Sequence, residues 1–224
     1  MASRIGVVTF PGTCDDRDAR RAVELCGGEA VALWHGTSDL AGLDGVFLPG
    51  GFSYGDHLRC GALARFSPVM GAIATFAAEG GPVLGVCNGF QVLCEAGLLP
   101  GVLRANHHGR FNCLEAELVV ERPSGWTGGF AQGDTMRIPV KHGEGAWYAP
   151  DDDLAALEDA GQVLLRYADD VNGATARVAG ICSAEGNVFG LMPHPEHAVE
   201  ALIGSTDGRA IVSALARGQA GTDG

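Results

Sequence analysis

The sequence predicts an α/β fold: a mostly parallel central sheet with helices on both faces and additional antiparallel strands in the second half. Three observations carry the prediction. Short apolar, β-branched runs alternate with segments of helical spacing through the first hundred residues, as strands buried on both faces require. From about Cys113 the style changes to strand-like runs separated by Gly, Asp and Asn turns. The chain has 224 residues, 46% of them hydrophobic, enough to enclose one substantial core.

Taken in order, RIGVVTF (4–10) is a strand closed by Pro11-Gly12. Asp15 and Asp16 then open a helix with Ala19, Ala22, Val23 and Cys26 at helical spacing, ending at Gly27-Gly28. The same unit repeats: AVALW (30–34) and GVFLPGG (45–51) read as strands, PVMGAIATFAAEGG (68–81) as a helix, and PVLGVC (82–87) as the strand it feeds. A helix-like pattern follows Cys87. In the second half CLEAELVVE, TMRIPV, QVLLRYA, ARVAGICS and NVFGLM read as antiparallel or mixed strands, with a closing helix around Asp207 to Ala216. One domain is expected over 1–218, with a flexible C-terminal tail at 219–224.

A net charge of −12, with 15 scattered Lys and Arg, disfavours a phosphate-neutralising surface and hence a nucleic-acid partner. No apolar run approaches the roughly 18 residues of a membrane-spanning helix, and the stretch from Ile5 to Phe10 is too short for a signal-peptide core. A soluble, cytoplasmic protein with no membrane partner is expected. Seven cysteines without a CxxC pair argue against a disulfide framework or a structural zinc site. His107 and His108 are adjacent, and His194 and His197 are three apart, but neither pair has an obvious third and fourth ligand, so no metal is expected.

Gly85-Val86-Cys87-Asn88-Gly89 lies between a strand and a helix, an arrangement that resembles a nucleophile elbow. The two glycines leave room for a strained turn, and the helix N-terminus favours thiolate. An inert core thiol fits the pattern as well. A nucleophilic thiol needs a base and a group to orient it. Downstream, Pro195 biases His194 to an extended conformation, so that the side chains of His194 and Glu196 project to the same side and can hydrogen-bond. Without Cys87, this stretch would read as an ordinary Pro-stiffened loop. Oxyanion donors are available in the backbone N–H of Asn88 and in the bare amides of Gly50 and Gly51.

PGG near 50, GVCNGFQ at 85–91 and PHPE at 193–196, in that order, resemble the class I, triad-type glutamine amidotransferases. FPGTCDDRDA, LPGGFSYGDHLRCGALA, VKHGEG (140–145) and GNVFGLMPHPEHA narrow the resemblance to the glutaminase subunits of phosphoribosylformylglycinamidine synthase. The resemblance implies a flavodoxin-like amidotransferase fold and hydrolysis of glutamine to glutamate and ammonia. Cys87 would be the nucleophile, His194 the proton carrier and Glu196 its orienting acid. Gly51 and Asn88 would supply the oxyanion amides, while Gln91, Gly50, Arg110 and Phe111 would meet the substrate. Arg110 could equally be a surface arginine.

The resemblance implies no cofactor in this subunit. The partners it implies are a large synthetase subunit, which uses ATP and Mg2+, and a small assembly subunit. FSYGDHLRCG and VKHGEG are expected to shape the pocket or a docking face, with Arg59 and Lys141 as its cations. Two departures stand out. Where the family reads Ser/Thr-Asn-Cys-Asp after Pro-Gly, this chain has Thr13-Cys14-Asp15-Asp16, and where the family reads Asn-Pro-Asn-Gly-Ser it has Asp170-Val171-Asn172-Gly173-Ala174. The alternatives are a glutaminase of carbamoyl phosphate, anthranilate or guanylate synthesis, an elbow-cysteine protein of the related stress-protein and peptidase superfamily, and a non-catalytic module of the same fold. The Pro-His-Pro-Glu stretch argues against the stress-protein type.

Overall fold

Strand runs that are apolar on both faces have to lie inside a covered sheet, and their positions here follow that requirement. The computed structural model describes residues 2–218, so the tail expected at 219–224 lies outside the described residues. The first half supplies β1 (Arg4–Thr9), α1 (Asp16–Leu25), β2 (Glu29–Trp34), β3 (Gly45–Leu48), α2 (Pro68–Ala78), β4 (Val83–Val86) and α3 (Asn88–Glu95). The second supplies β5 (Val102–Arg104), β6 (Asn112–Val120), β7 (Thr135–His142), β8 (Ala146–Tyr148), α4 (Asp151–Asp159), β9 (Val163–Tyr167), β10 (Val178–Cys182), β11 (Val188–Leu191) and α5 (Arg209–Ala216).

Among the described residues, one sheet of nine strands runs in the order β2-β1-β3-β4-β11-β10-β9-β6-β7, and β5 pairs with β8 apart from it. From β2 to β11 every pairing is parallel; from β11 to β7 every pairing is antiparallel. Every residue of β3, β4, β10 and β11 is buried, at about 1.5–3 kcal/mol for each large apolar side chain. That burial decides where β11 goes. Although it is the last strand in sequence, it lies at the centre, with Val188 opposite Val83 and Leu191 opposite Val86.

Two features have weak signals in the sequence. Helix α4 buries only Leu157, so it carries almost no apolar stripe; its sign is Pro150 before Asp151, Asp152 and Asp153, a proline and acids where a helix begins. Strands β5 and β8 are three residues each, too short for a period to register. Strand β7 does alternate. Met136, Ile138, Val140 and His142 are buried, which leaves Lys141 on the opposite face.

Candidate active site

Cys87 alone joins β4 to α3, at φ 52° and ψ −108°. Positive φ in a non-glycine residue costs about 1–3 kcal/mol, and two glycines make room for the turn. A Cβ on Gly89 would stand 1.9 Å from the Leu48 carbonyl oxygen, and one on Gly85 would stand 2.9 Å from the Gly89 carbonyl carbon. The first turn of α3 therefore packs directly on the end of β3. Cys87 is 5% exposed, and its thiol donates to the Lys141 carbonyl oxygen at 3.7 Å.

His194 arrives on the loop after β11. Its backbone N–H donates to Pro139 O at 2.8 Å, tying the loop to β7. Its Nδ1–H donates to Glu196 Oε1 at 2.6 Å, with both side chains buried. His194 Nε2 is buried without a hydrogen-bond partner. Burial works against a charge on His194, but the Glu196 carboxylate and the Cys87 sulfur outweigh it, and the imidazole holds its proton up to about 10.

Three other thiols near this place are raised above the ordinary thiol range. Cys60 is pushed far above the thiol range by burial and by Asp56 and Glu144. Cys14 is raised by burial and by Asp15, and burial raises Cys94 on α3.

Gly51 stands across from this centre at φ 149°, where a Cβ would meet Cys14 N at 2.6 Å. The flanking bonds run from Cys14 N to Gly50 O and from Phe52 N to Gly12 O; neither uses the Gly51 N–H. The Asn88 N–H opens α3, where the helix offers no acceptor four residues back. Gly51, Cys87, Gln91, Phe111 and Lys141 line a cavity of about 300 Å³. A larger hollow of about 940 Å³ lies against α5, away from Cys87.

The remaining residues singled out in the sequence are placed differently. Gln91 lines the cavity, but its side chain is a tie: it accepts from Asn88 Nδ2 at 2.9 Å and donates to Glu144 O at 2.6 Å. Phe111 lines the cavity and is half exposed. Arg110 does not line it. That residue is exposed on a turn held by Asn106 Nδ2 to Arg110 O and by Arg110 N to His108 Nδ1. Gly50 is behind the cavity wall rather than in it: its carbonyl accepts from Cys14 and Asp15 N–H, and a Cβ there would meet His194 at 2.7 Å.

Both subfamily segments reach the cavity, through Phe52, Asp56 and Cys60 and through Lys141 to Glu144. Lys141 is not a free docking cation, because its Nζ donates to Asp15 Oδ1 at 2.5 Å. Arg59 is exposed and paired with Glu95.

Three buried polar residues of this region, Asp15, Asn106 and Asn172, carry no functional sign in the sequence. Asp15 is the acid that holds Lys141. Asn106 donates to Arg110 O and His142 O and accepts from Gly145 N. Asn172 donates to Gly145 O at 2.8 Å and meets His142 Nε2 at 3.1 Å. Burial, together with the charges of His194 and His108, lowers His142 to about 3, so it stays neutral. A lone Asn in a polar loop gives no sequence sign that it is a clamp; only burial reveals it.

Residues 2–210 match the model of the CobB/CobQ-like glutamine amidotransferase domain. Over 209 residues the chain is 57% identical to the phosphoribosylformylglycinamidine synthase subunit PurQ of Rhodococcus jostii (strain RHA1), covering 92% of this chain and 93% of that one. The chain belongs to the PurQ family of glutamine amidotransferases. The PurQ subunit of Mycobacterium tuberculosis (strain CDC 1551 / Oshkosh) is 56% identical over 208 residues, 92% of this chain and 93% of that one. Among solved structures, PurLQS from Thermotoga maritima matches with a TM-score of 0.89 at 43% identity, covering 96% of this chain and 98% of that one. A glutamine amidotransferase from Thermotoga maritima matches with a TM-score of 0.57 at 16% identity, covering 88% of this chain and 77% of that one; this likeness is one of fold. The amidotransferase fold expected from the sequence is thus present, with its parallel half and its antiparallel half on either side of β11.

Proposed function

We propose that this chain is the glutaminase component of a phosphoribosylformylglycinamidine synthase. The observation that carries the reading is a strained elbow cysteine that lines a cavity and whose sulfur acts on the buried His194 of a His–Glu pair, in a chain 57% identical to a PurQ subunit. Cys87 Sγ attacks the side-chain carboxamide carbon of glutamine, and the oxygen that gains charge is met by the N–H groups of Gly51 and Asn88. His194 gives its proton to the nitrogen as the C–N bond breaks, releasing ammonia and leaving a γ-glutamyl thioester on Cys87. Water then attacks the thioester, His194 taking a proton from it; the C–S bond breaks and glutamate leaves. Glu196 holds the ring so that Nε2 faces the reacting atoms, and Gln91 ties the elbow helix to the 141–145 wall.

The ammonia is consumed by a synthetase subunit that uses ATP with Mg2+ to amidate formylglycinamide ribonucleotide, a small third subunit completing the complex. Assembly of this kind is what the PurLQS neighbour represents. No helix among the described residues is long and apolar enough to cross a membrane, and a partner that consumes ATP supports a cytoplasmic location.

The test is glutamate release by wild type and Cys87→Ser, each alone and with the synthetase subunits, ATP and formylglycinamide ribonucleotide. Release that rises on assembly and falls by at least ~10³-fold in Cys87→Ser is expected. No release from any wild-type mixture would remove the assignment.

A further inference from the structure

Beside the three groups of the proposed triad lies an ion pair, a buried Asp15 and a partly buried Lys141, that the glutaminase steps do not use. Asp15, 4% exposed, reaches His194 from the loop before α1, with Oδ2 3.7 Å from His194 Nδ1. Its other oxygen accepts from Lys141 Nζ at 2.5 Å and lies 3.5 Å from His197 Nε2. One ring nitrogen of His194 thus has two carboxylates within 4 Å, Glu196 at 2.6 Å and Asp15 at 3.7 Å. A single N–H bonds the nearer acid; the farther one acts through its charge.

The placement of Asp15 is built rather than incidental. The backbone N–H groups of Cys14 and Asp15 both donate to Gly50 O, at 3.1 and 3.2 Å. A Cβ on Gly50 would fall 2.4 Å from Asp15 Oδ2 and 2.7 Å from His194 Cε1, so residue 50 must be bare for acid and ring to meet. Asp15 also stands where the family pattern has its cysteine. Despite burial, His197, the His194 charge and Lys141 hold it well below the usual carboxylate range. Asp15 in turn outweighs the cost of burying Lys141 and keeps that ammonium charged. Asp15, His194, Glu196 and His197 bring potential ligand atoms within 4.8 Å of one another, but the carboxylates already face cations of the chain itself, the His194 imidazolium on Glu196 and the Lys141 ammonium on Asp15.

We propose that Asp15 and Lys141 are positioning residues behind the triad: Asp15 steadies His194 as a second carboxylate, and Lys141 cancels enough of that charge for His194 to release its proton to ammonia. Each carboxylate facing the ring makes the imidazolium harder to discharge, and each nearby cation makes it easier. The reaction needs both directions, because His194 must give a proton in the first half and accept one from water in the second. The charged and titratable groups around the ring are Glu196 and His197 on its own turn, Asp15 before α1, Lys141 and His142 on β7, and Cys87 at the elbow. Of these, Asp15 and Lys141 are the pair whose removal changes charge without touching the nucleophile or the acid bonded to the ring. The proposal rests on the glutaminase reading, and two readouts separate the two.

The first is independent of turnover. In the ¹⁵N-histidine-labelled full chain, the ring nitrogens of His194, assigned by their loss in His194→Asn, are titrated by NMR. Lys141→Met is expected to raise the midpoint by about one pH unit and Asp15→Asn to lower it by about one. Lys141→Arg should leave the midpoint in place, and the double variant Asp15→Asn/Lys141→Met should bring it back toward wild type. Lys141→Gln replaces the Met variant if the latter fails to fold. Coincident midpoints in the folded single variants would overturn the proposal.

The second readout is kcat/KM for glutamate release by the assembled complex, whose falling limb should move in the same direction as the NMR midpoint. A uniform loss at every pH with no movement of that limb would mean that the pair is only structural, and would also overturn the proposal. Shifted midpoints together with a wild-type complex that releases no glutamate would keep the pair and remove the glutaminase reading.

Discussion

At the scale of single residues, the site shows strain where the proposed chemistry needs reach. Cys87 sits at φ 52°, a conformation glycine adopts freely and cysteine does not. Substituting glycine should therefore relieve the backbone while deleting the thiol. Cys87→Gly is expected to be inactive yet more stable than Cys87→Ala by about 1 kcal/mol, measured by urea denaturation of both variants. Equal stability would mean that the turn is not strained. Cys87, His194 and Glu196 were legible from the sequence because each leaves a local mark: glycines two residues to either side, prolines around a histidine, an acid two residues on. Asp15 leaves none. It reads as one of two acids at a helix start, and its contact with His194 comes from Gly50, 35 residues away in the chain. Arg110 shows the converse, since a cation near a pocket in sequence is no guarantee of one in space.

At the scale of elements, the cavity wall from Lys141 to Gly145 is held by two buried asparagines. Asn106 accepts from Gly145 N and donates to His142 O, while Asn172 donates to Gly145 O. Removing Asn172 leaves a buried carbonyl, the His142 ring nitrogen and the Ala174 N–H without their partner. Asn172→Ala should cost about 2 kcal/mol and raise KM for glutamine more than it lowers kcat, because Gln91 is tied to this wall through Glu144 O. Urea denaturation and steady-state kinetics of the complex check the two parts, and an unchanged KM would separate the wall from substrate binding. The strands were legible because their periodicity and apolar content are local. The central place of β11 was not, since it depends on which buried run pairs with which. Helix α4 lacked the apolar stripe by which helices are recognised.

At the scale of the whole molecule, buried titratable groups on different elements set opposite pH limits on stability. His142 on β7 is neutral in the fold, its value lowered from 6.5 to about 3 by burial and by the charges of His194 and His108. Its contribution is present above pH 6.5 and is lost as pH falls from there toward 3, because the unfolded chain takes up the proton first. Asp15, held below its ordinary 3.8, adds a further loss at still lower pH. His194 has the opposite sign. With its value raised from 6.5 to about 10, its contribution is complete below 6.5 and is lost as pH rises toward 10. Urea midpoints should therefore be highest near neutrality and fall on both sides. In His194→Gln the alkaline decline between pH 6.5 and 10 should flatten, while the acid decline persists in reduced form, since His142 and Asp15 are still buried but lose the His194 charge that helps lower them. The net charge of −12 adds self-repulsion to the alkaline side of both proteins alike, so the difference between the two curves above pH 6.5 isolates His194. Parallel curves above pH 6.5 would mean that His194 carries no excess charge in the fold, and the ion pair with Glu196 would then have to be neutral.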